Sequence, residues 1–247
     1  KHGIDSLPIL SRGVIYYWTS HGYLVALDAT NGQEKWEILL DPRYSKINPP
    51  NVLNGVVYAK DDYYILHAVD LVKGKEIWQY KLSDRYVKPF FSNEGIYFID
   101  NKNLIGLDPV SGHEIGRVKI ISDFRGLFDT IIGVSKGIVC VCDSENGING
   151  IDFSSGQLKW NLPYGGGRTM LPTLSDGIIY AINQDSLNGI SLDYLVSIDA
   201  VTGQEIWKFK IEDDVNINIE GFSSPIVTNR VVYVGGNQYL YAVDAMS

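Results

Sequence analysis

The chain has 247 residues, 45% of them hydrophobic and 20% charged, with a formal net charge of -8. That composition is ordinary for a globular protein, and no run approaches the ~20 uninterrupted apolar residues a membrane-spanning helix needs. The acid excess argues against nucleic-acid binding, which wants a basic face, and leaves a basic protein as the natural partner.

In chain order, the first elements are a short apolar segment, Pro8-Ile9-Leu10, a tight turn at Ser11-Arg12-Gly13, and a segment from Val14 to Trp18 rich in β-branched and aromatic residues. The last of these predicts a strand, and the glycine supplies the positive φ of a tight hairpin. A third segment, Tyr23 to Leu27, leads into Asp28-Ala29-Thr30-Asn31-Gly32, and a fourth carries Trp36. The aspartate reads as a turn residue whose carboxylate accepts backbone N–H bonds, with Gly32 left-handed. Trp36 would project from the outer strand over the turn or the neighbouring unit.

The same order returns five times. The second-segment strands are predicted at Val56 to Ala59, Ile96 to Ile99, Ile138 to Cys142, Ile178 to Ile182 and Val231 to Val234. The turn aspartates are Asp28, Asp70, Asp108, Asp152, Asp199 and Asp244, spaced 42, 38, 44, 47 and 45 residues apart, and Trp78, Trp160 and Trp207 repeat Trp36. A period of about 40 residues marks an array of repeated supersecondary units with no room for a linker, so a single domain over 1–247 is expected. Four antiparallel strands per unit predict an all-β fold, a β-propeller of about six blades.

The Ala-x-Asp-x-x-Thr-Gly-x-x-x-Trp pattern resembles the tryptophan-docking repeat of the pyrroloquinoline-quinone-type propellers, the family of quinoprotein alcohol dehydrogenases and of the outer-membrane assembly lipoprotein. The resemblance runs from Pro8 to Ala245, with two departures: Gly116 stands in the Trp position of the third unit, and the sixth unit stops at Ser247. The sixth blade is expected to be closed by Lys1 to Leu7, or else to remain three-stranded or belong to a fragment of a longer propeller. In the quinone enzymes, the resemblance implies, a disulfide of adjacent cysteines covers the quinone, a Trp lies beneath it, and Glu, Asn and Asp hold calcium. This chain has no adjacent cysteine pair, and Trp18 is its only tryptophan outside the repeat, equally explained as a rim aromatic. No cofactor and no enzymatic activity are expected.

Other chemistry finds little footing. His2, His21, His67 and His113 show no pair at ligand spacing and read as surface or loop residues, so no metal is expected. Gly165-Gly166-Gly167-Arg168 lacks the Lys-Ser/Thr of a phosphate loop, and Asp143 to Gly147 lacks the distal Glu of a calcium loop. Cys140 and Cys142 lie on one strand with Cα atoms about 6.5 to 7 Å apart, too far for an unstrained disulfide. Two thiols favour the cytoplasm, the alternative being the periplasm if a signal peptide has been removed.

Function in repeat proteins sits where the repeat is broken. The variable connections join one unit to the next and the second strand to the third, and alternating strand direction puts both kinds on one side. Together they carry 15 Asp and Glu against 8 Lys and Arg. An acidic loop face with aromatic anchors predicts a binding scaffold for a basic protein. Its candidate residues are Tyr44, Asp61, Asp62, Tyr63, Tyr86, Phe124, Asp143, Glu145, Tyr164, Arg168, Asp185, Asp193, Glu212, Asp213 and Asp214. A bacterial immunity protein neutralising a cationic toxin is one concrete role. The alternatives are an envelope-assembly scaffold similar to the outer-membrane assembly lipoprotein, and a small-molecule or carbohydrate site walled by Asn183 to Asp193 with Arg168, Asn188 and Asp193 orienting the ligand.

Overall fold

A computed structural model describes residues 3–4, 6–40, 49–120, 130–143, 147–163, 171–187, 190–211, 222–236 and 239–246. The chain groups into two compact units, Lys1–Arg117 and Val118–Ser247.

The first unit holds three antiparallel sheets. The first is β1 (Ile9–Ser11), β2 (Val14–Trp18), β3 (Tyr23–Asp28) and β4 (Glu34–Leu39); the second is β5 (Asn51–Leu53), β6 (Val56–Lys60), β7 (Ile65–Asp70) and β8 (Glu76–Lys81). The third is β9 (Phe90–Ser92), β10 (Gly95–Asp100), β11 (Asn103–Leu107) and β12 (Glu114–Lys119), whose last strand runs across the division. The second unit holds β13 (Thr130–Ser135), β14 (Ile138–Asp143), β15 (Gly147–Asp152) and β16 (Leu158–Leu162), then β17 (Thr173–Ser175), β18 (Ile178–Leu187), β19 (Ile190–Asp199) and β20 (Glu205–Lys210). Its last sheet is three-stranded: β21 (Ile226–Thr228), β22 (Val231–Gly235) and β23 (Leu240–Asp244).

Among the described residues there is no helix, and the all-β, blade-by-blade expectation holds strand for strand. The hairpin joining first to second strand takes two left-handed residues, as at Asn54 (φ 50°) and Gly55 (φ 81°). That geometry matches the right-handed twist of the flanking strands. Gly3 and Ile4 are bonded to the first sheet: Ile4 bridges Thr19, and Ser20 N donates to Gly3 O at 2.8 Å. Lys1, His2 and Asp5 of the segment expected to close the last blade lie outside the described residues.

In the first two sheets the second and third strands hold most of the buried residues, while β4, β8 and β12 alternate between exposed and half-buried residues. In four sheets the third-to-fourth pairing carries the same β-bulge, between Ala26 and Leu27, Ala68 and Val69, Gly150 and Ile151, and Ser197 and Ile198. One extra residue on the outer strand bends it and re-aims the side chain that follows. That side chain is the repeated tryptophan. Trp36 lies so close over Gly74 in the next sheet's turn that a Cβ there would stand 2.5 Å from its ring, and its Nε1 donates to Leu71 O at 3.0 Å. Trp78 repeats this over Gly112 with Pro109 O, and in the second unit Trp160 covers Gly203 and Trp207 donates to Ala245 O.

Three expectations need correction. Asn183 to Asp193 is not a loop: β18 and β19 continue in register from Asn183↔Tyr194 to Leu187↔Ile190, so the expected pocket wall is an extended hairpin. Trp18 is not a rim aromatic but fully buried, with its backbone N–H bonded to Ser6 Oγ at 3.0 Å. His67 is no surface residue either, being buried on β7. Cys140 and Cys142 are thiols, as expected, and burial pushes Cys140 up to about 12.

Candidate partner-binding site

The best-defined cluster of candidate residues lies in the first unit, where the β6–β7, β8–β9 and β10–β11 connections meet. Its base is made of buried charge. Asp61 follows β6 at a position that must cap a hairpin: its N–H donates to Ile65 O and its Oδ1 accepts Ile65 N at 2.7 Å. Thr19 caps the equivalent turn of the first sheet through the same pair of bonds. The other oxygen, Asp61 Oδ2, lies 3.2 Å from His67 Nε2, and His67 Nδ1 lies 2.6 Å from Glu76 Oε1. Burial disfavours charge on His67, yet hydrogen bonds from Asp61 and Glu76 outweigh it and raise its pKa. A carboxylate faces each ring nitrogen and can only accept, so both nitrogens donate and the ring is held as imidazolium. Such a ring has no lone pair to take a substrate proton.

Lys60, beside Asp61, is also buried, and its Nζ donates to Arg85 O and Val87 O at 2.6 Å each. Desolvation lowers its pKa against the pull of Asp84, Asp62 and Asp61. The ammonium pins the Ser83 to Lys88 connection from below, while Ser83 N donates to Asp100 Oδ2 at 3.0 Å from the side. Within that connection Asp84 Oδ1 accepts Tyr86 N at 2.6 Å, and Arg85 donates to Tyr86 Oη at 2.8 Å with its guanidinium 4.9 Å from the ring centroid. The outcome is a Tyr86 that is 58% exposed on a loop fixed at four backbone groups. Pre-organised aromatic and arginine side chains are what interface hot spots are made of.

The structure brings Asp62, Tyr63 and Tyr86 into this cluster but removes Asp61 from the surface, because it is committed to the hairpin and to His67. In the β6–β7, β8–β9 and β10–β11 connections the exposed or half-exposed charges are Asp62 and Asp84 against Arg85, Lys88 and Lys102. This part of the loop surface is mixed in charge, not acidic. Asp193 is half-buried on β19, and Asp143 and Asp185 lie on β14 and β18. Tyr44, Phe124, Glu145, Tyr164, Arg168, Glu212, Asp213 and Asp214 lie outside the described residues, as does Asn188. Among the described residues no group of three His, Cys, Asp or Glu side chains is arranged to hold a metal ion, and no helix is long and apolar enough to cross a membrane.

Lys60, His67 and Arg85 were not among the sequence candidates. The repeat carries the missed signal. His67 occupies the place of Val25 in the first sheet, and Lys60 that of Trp18, both buried.

The sequence profile of the family described as "Outer membrane protein assembly factor BamB" matches residues 1–208 and again 100–247. No curated protein matches the chain. Among solved structures, BamB from Moraxella catarrhalis is similar at 18% identity and a TM-score of 0.61, over 99% of this chain and 72% of that one. The quinohemoprotein alcohol dehydrogenase from Comamonas testosteroni is similar at 12% identity and 0.62, over 98% and 58%. A europium-containing methanol dehydrogenase follows at 12% and 0.54, over 97% and 66%. The chain thus spans less than two thirds of either dehydrogenase. At these identities the structures speak to fold alone, and the β-propeller repeat of the quinoprotein type is borne out by them.

Proposed function

Because this chain belongs to the family of the outer membrane protein assembly factor BamB, we propose that it is a non-enzymatic protein-binding scaffold serving outer-membrane protein assembly, with the Tyr86 loop as part of its partner surface. The observation that carries this reading is the family match, which takes in the whole chain. The buried base of the loop cluster agrees with it: an imidazolium blocked at both nitrogens and a lysine spent on backbone carbonyls hold a surface in shape and leave no reactive group. The immunity-protein role rested on small size and a net-acidic loop face, and the family match does not point to it.

An outer-membrane assembly factor works in the envelope, so the chain is assigned to the periplasm. Cys140 does not oppose this, since it is buried with its ionisation suppressed and is shielded from oxidants in any compartment. Loss of the gene in the cells that make this protein should lower the amount of folded outer-membrane β-barrel proteins, read by heat-modifiability of membrane fractions. Normal levels would sink the assembly role. Replacing Tyr86 and Arg85 together with alanine should weaken co-purification with the assembly machinery about tenfold or more without moving the melting temperature by more than a degree or two; unchanged recovery would remove this loop from the interface.

A further inference from the structure

We propose that the Tyr86 loop, together with the β6–β7 and β10–β11 turns that meet it, takes an acidic segment of a partner protein, with carboxylates on Arg85, Lys88 and Lys102 and an apolar side chain against Tyr86. This rests on the scaffold reading and deepens it by naming the chemistry of the partner.

The chain as a whole, at a net charge of -8, attracts basic partners at long range. At contact, what matters is which charges are still free to pair, and burial sorts them. Lys60 lies under the loop as a buried ammonium bonded to Arg85 O and Val87 O at 2.6 Å each, and Asp84, Asp62 and Asp61 all act on it electrostatically. The counter-charge of these carboxylates is therefore fixed beneath them. Asp61 is engaged a second time by His67, Asp84 Oδ1 accepts Tyr86 N, and the buried Asp100 accepts Ser83 N through Oδ2. Arg85, Lys88 and Lys102 are exposed, and none of the three is in an ion pair among the described residues. A surface that is mixed by count is thus cationic at contact, with Tyr86 held at its centre by the Arg85 guanidinium.

Two of these cations sit where a neutral residue would be more stable. Lys60 takes the place that Trp18 has in the first sheet, and burying an ammonium is unfavourable even when its hydrogen bonds are met. Lys102 is the second residue of the two-residue turn closed by Asp100 and Asn103, at φ 62°, a left-handed backbone in which glycine is the unstrained choice. Among the described turns with two left-handed residues, Arg12-Gly13, Asn54-Gly55, Lys136-Gly137 and Asp176-Gly177 have glycine there, and Asn229-Arg230 is the exception. A buried lysine that shapes the loop and a strained lysine beside it both point to a use for positive charge at this place. The remaining surface adds selectivity. An acidic segment is repelled by the acid excess of the rest of the chain and attracted here, which confines it to this loop. Any basic part of the same partner is met by other connections.

The probe is a labelled synthetic peptide of three Glu-Ser-Phe-Glu repeats, titrated into the 247-residue protein and followed by fluorescence anisotropy, with three Lys-Ser-Phe-Lys repeats as its counterpart. Saturable binding of the acidic peptide is expected, weakened at least tenfold by Lys88→Glu with Lys102→Glu and by raising the salt to about 0.5 M. Lys73→Glu, an equal change of charge on the exposed β7–β8 turn, should leave it as it was. Lys102→Gly separates binding from folding: it should weaken the peptide several-fold while holding or raising the melting temperature, because strain leaves together with the charge. Absence of saturable binding by the acidic peptide, binding that Lys88→Glu with Lys102→Glu leaves unchanged, or binding of the lysine peptide that is lost with Tyr86→Ser would overturn the proposal. Should Arg85→Ala with Tyr86→Ala lose the assembly machinery while Lys88→Glu with Lys102→Glu keeps it, the scaffold reading stands and this inference falls. Normal levels of folded β-barrel proteins after loss of the gene, with the peptide results as expected, would sink the assembly role alone.

Discussion

At the residue scale, His67 shows how far a single side chain departs from its surface chemistry once the repeat places it indoors. It sits where Val25 sits in the first sheet, and it is tolerated only because Asp61 and Glu76 neutralise it from both sides. Its pKa is raised, so its contribution is fully present below the ordinary histidine value of about 6.5 and is lost as pH rises through the folded-state value. The melting temperature of the wild type should therefore fall, as pH rises above the ordinary histidine value, more steeply than that of His67→Gln, which cannot titrate. Parallel curves would show that the ring does not carry the charge assigned to it. His67→Ala should cost about 3 kcal/mol, toward the low end for breaking a buried ion pair because Glu76 is a third exposed, read by urea denaturation. The location of the histidine was not legible from metal-ligand spacing, which treats histidines as pairs. It was available from alignment of one repeat on the next, as was Asp61 from Thr19.

At the scale of elements, the strands and turns were legible almost to the residue, because β-branched runs and left-handed turn residues are local signals. What escaped was the continuation of β18 and β19 through Asn183 to Asp193, whose polar sequence reads as loop but whose backbone pairs in register for a further five rungs. Pairing there is decided between strands, not within either. The outer strands offer a sharper test of packing. Gly32 and Gly74 have the same left-handed backbone, φ 70° and 61°, but an added Cβ meets nothing at Gly32 and meets Trp36 at Gly74. Gly32→Ala should cost about 1 kcal/mol, the left-handed penalty alone, and Gly74→Ala distinctly more. Trp36→Ala should cost about 3 kcal/mol and make a subsequent Gly74→Ala no worse than Gly32→Ala. Equal costs at the two glycines in the wild type would show that the ring does not bear on the turn.

For the whole molecule, the period of the aspartates carried the fold class, and the family match bears it out. The partner surface was only half readable. Aromatic residues in variable connections pointed to Tyr86, but net charge counted along the sequence could not tell that Asp61 is buried as a turn cap and Asp100 against the Ser83 amide while Arg85, Lys88 and Lys102 remain outside. The remaining acid excess lies largely in other connections, among them Glu212, Asp213 and Asp214. If those segments steer the partner, reversing these three charges to lysine should slow association several-fold at low salt and leave it unchanged near 0.5 M, where the Debye length is only about 4 Å. A stopped-flow salt series reads this directly, and insensitivity at low salt would exclude steering by that segment.

The placement of each tryptophan over its neighbour's turn bears on how such a chain can grow. Four of the six repeats bring both a socket, the glycine turn, and a plug, the tryptophan, and Trp36, Trp78 and Trp160 each fit the socket of the repeat that follows their own. Duplication of one whole repeat therefore inserts a matched socket and plug together and leaves every older junction as it was. Lineages can lengthen or shorten the array by copying errors alone, while a breakpoint inside a repeat would strand a plug without its socket. Gly116, at the one described repeat that brings a socket and no plug, stands one residue before the chain divides into its two units.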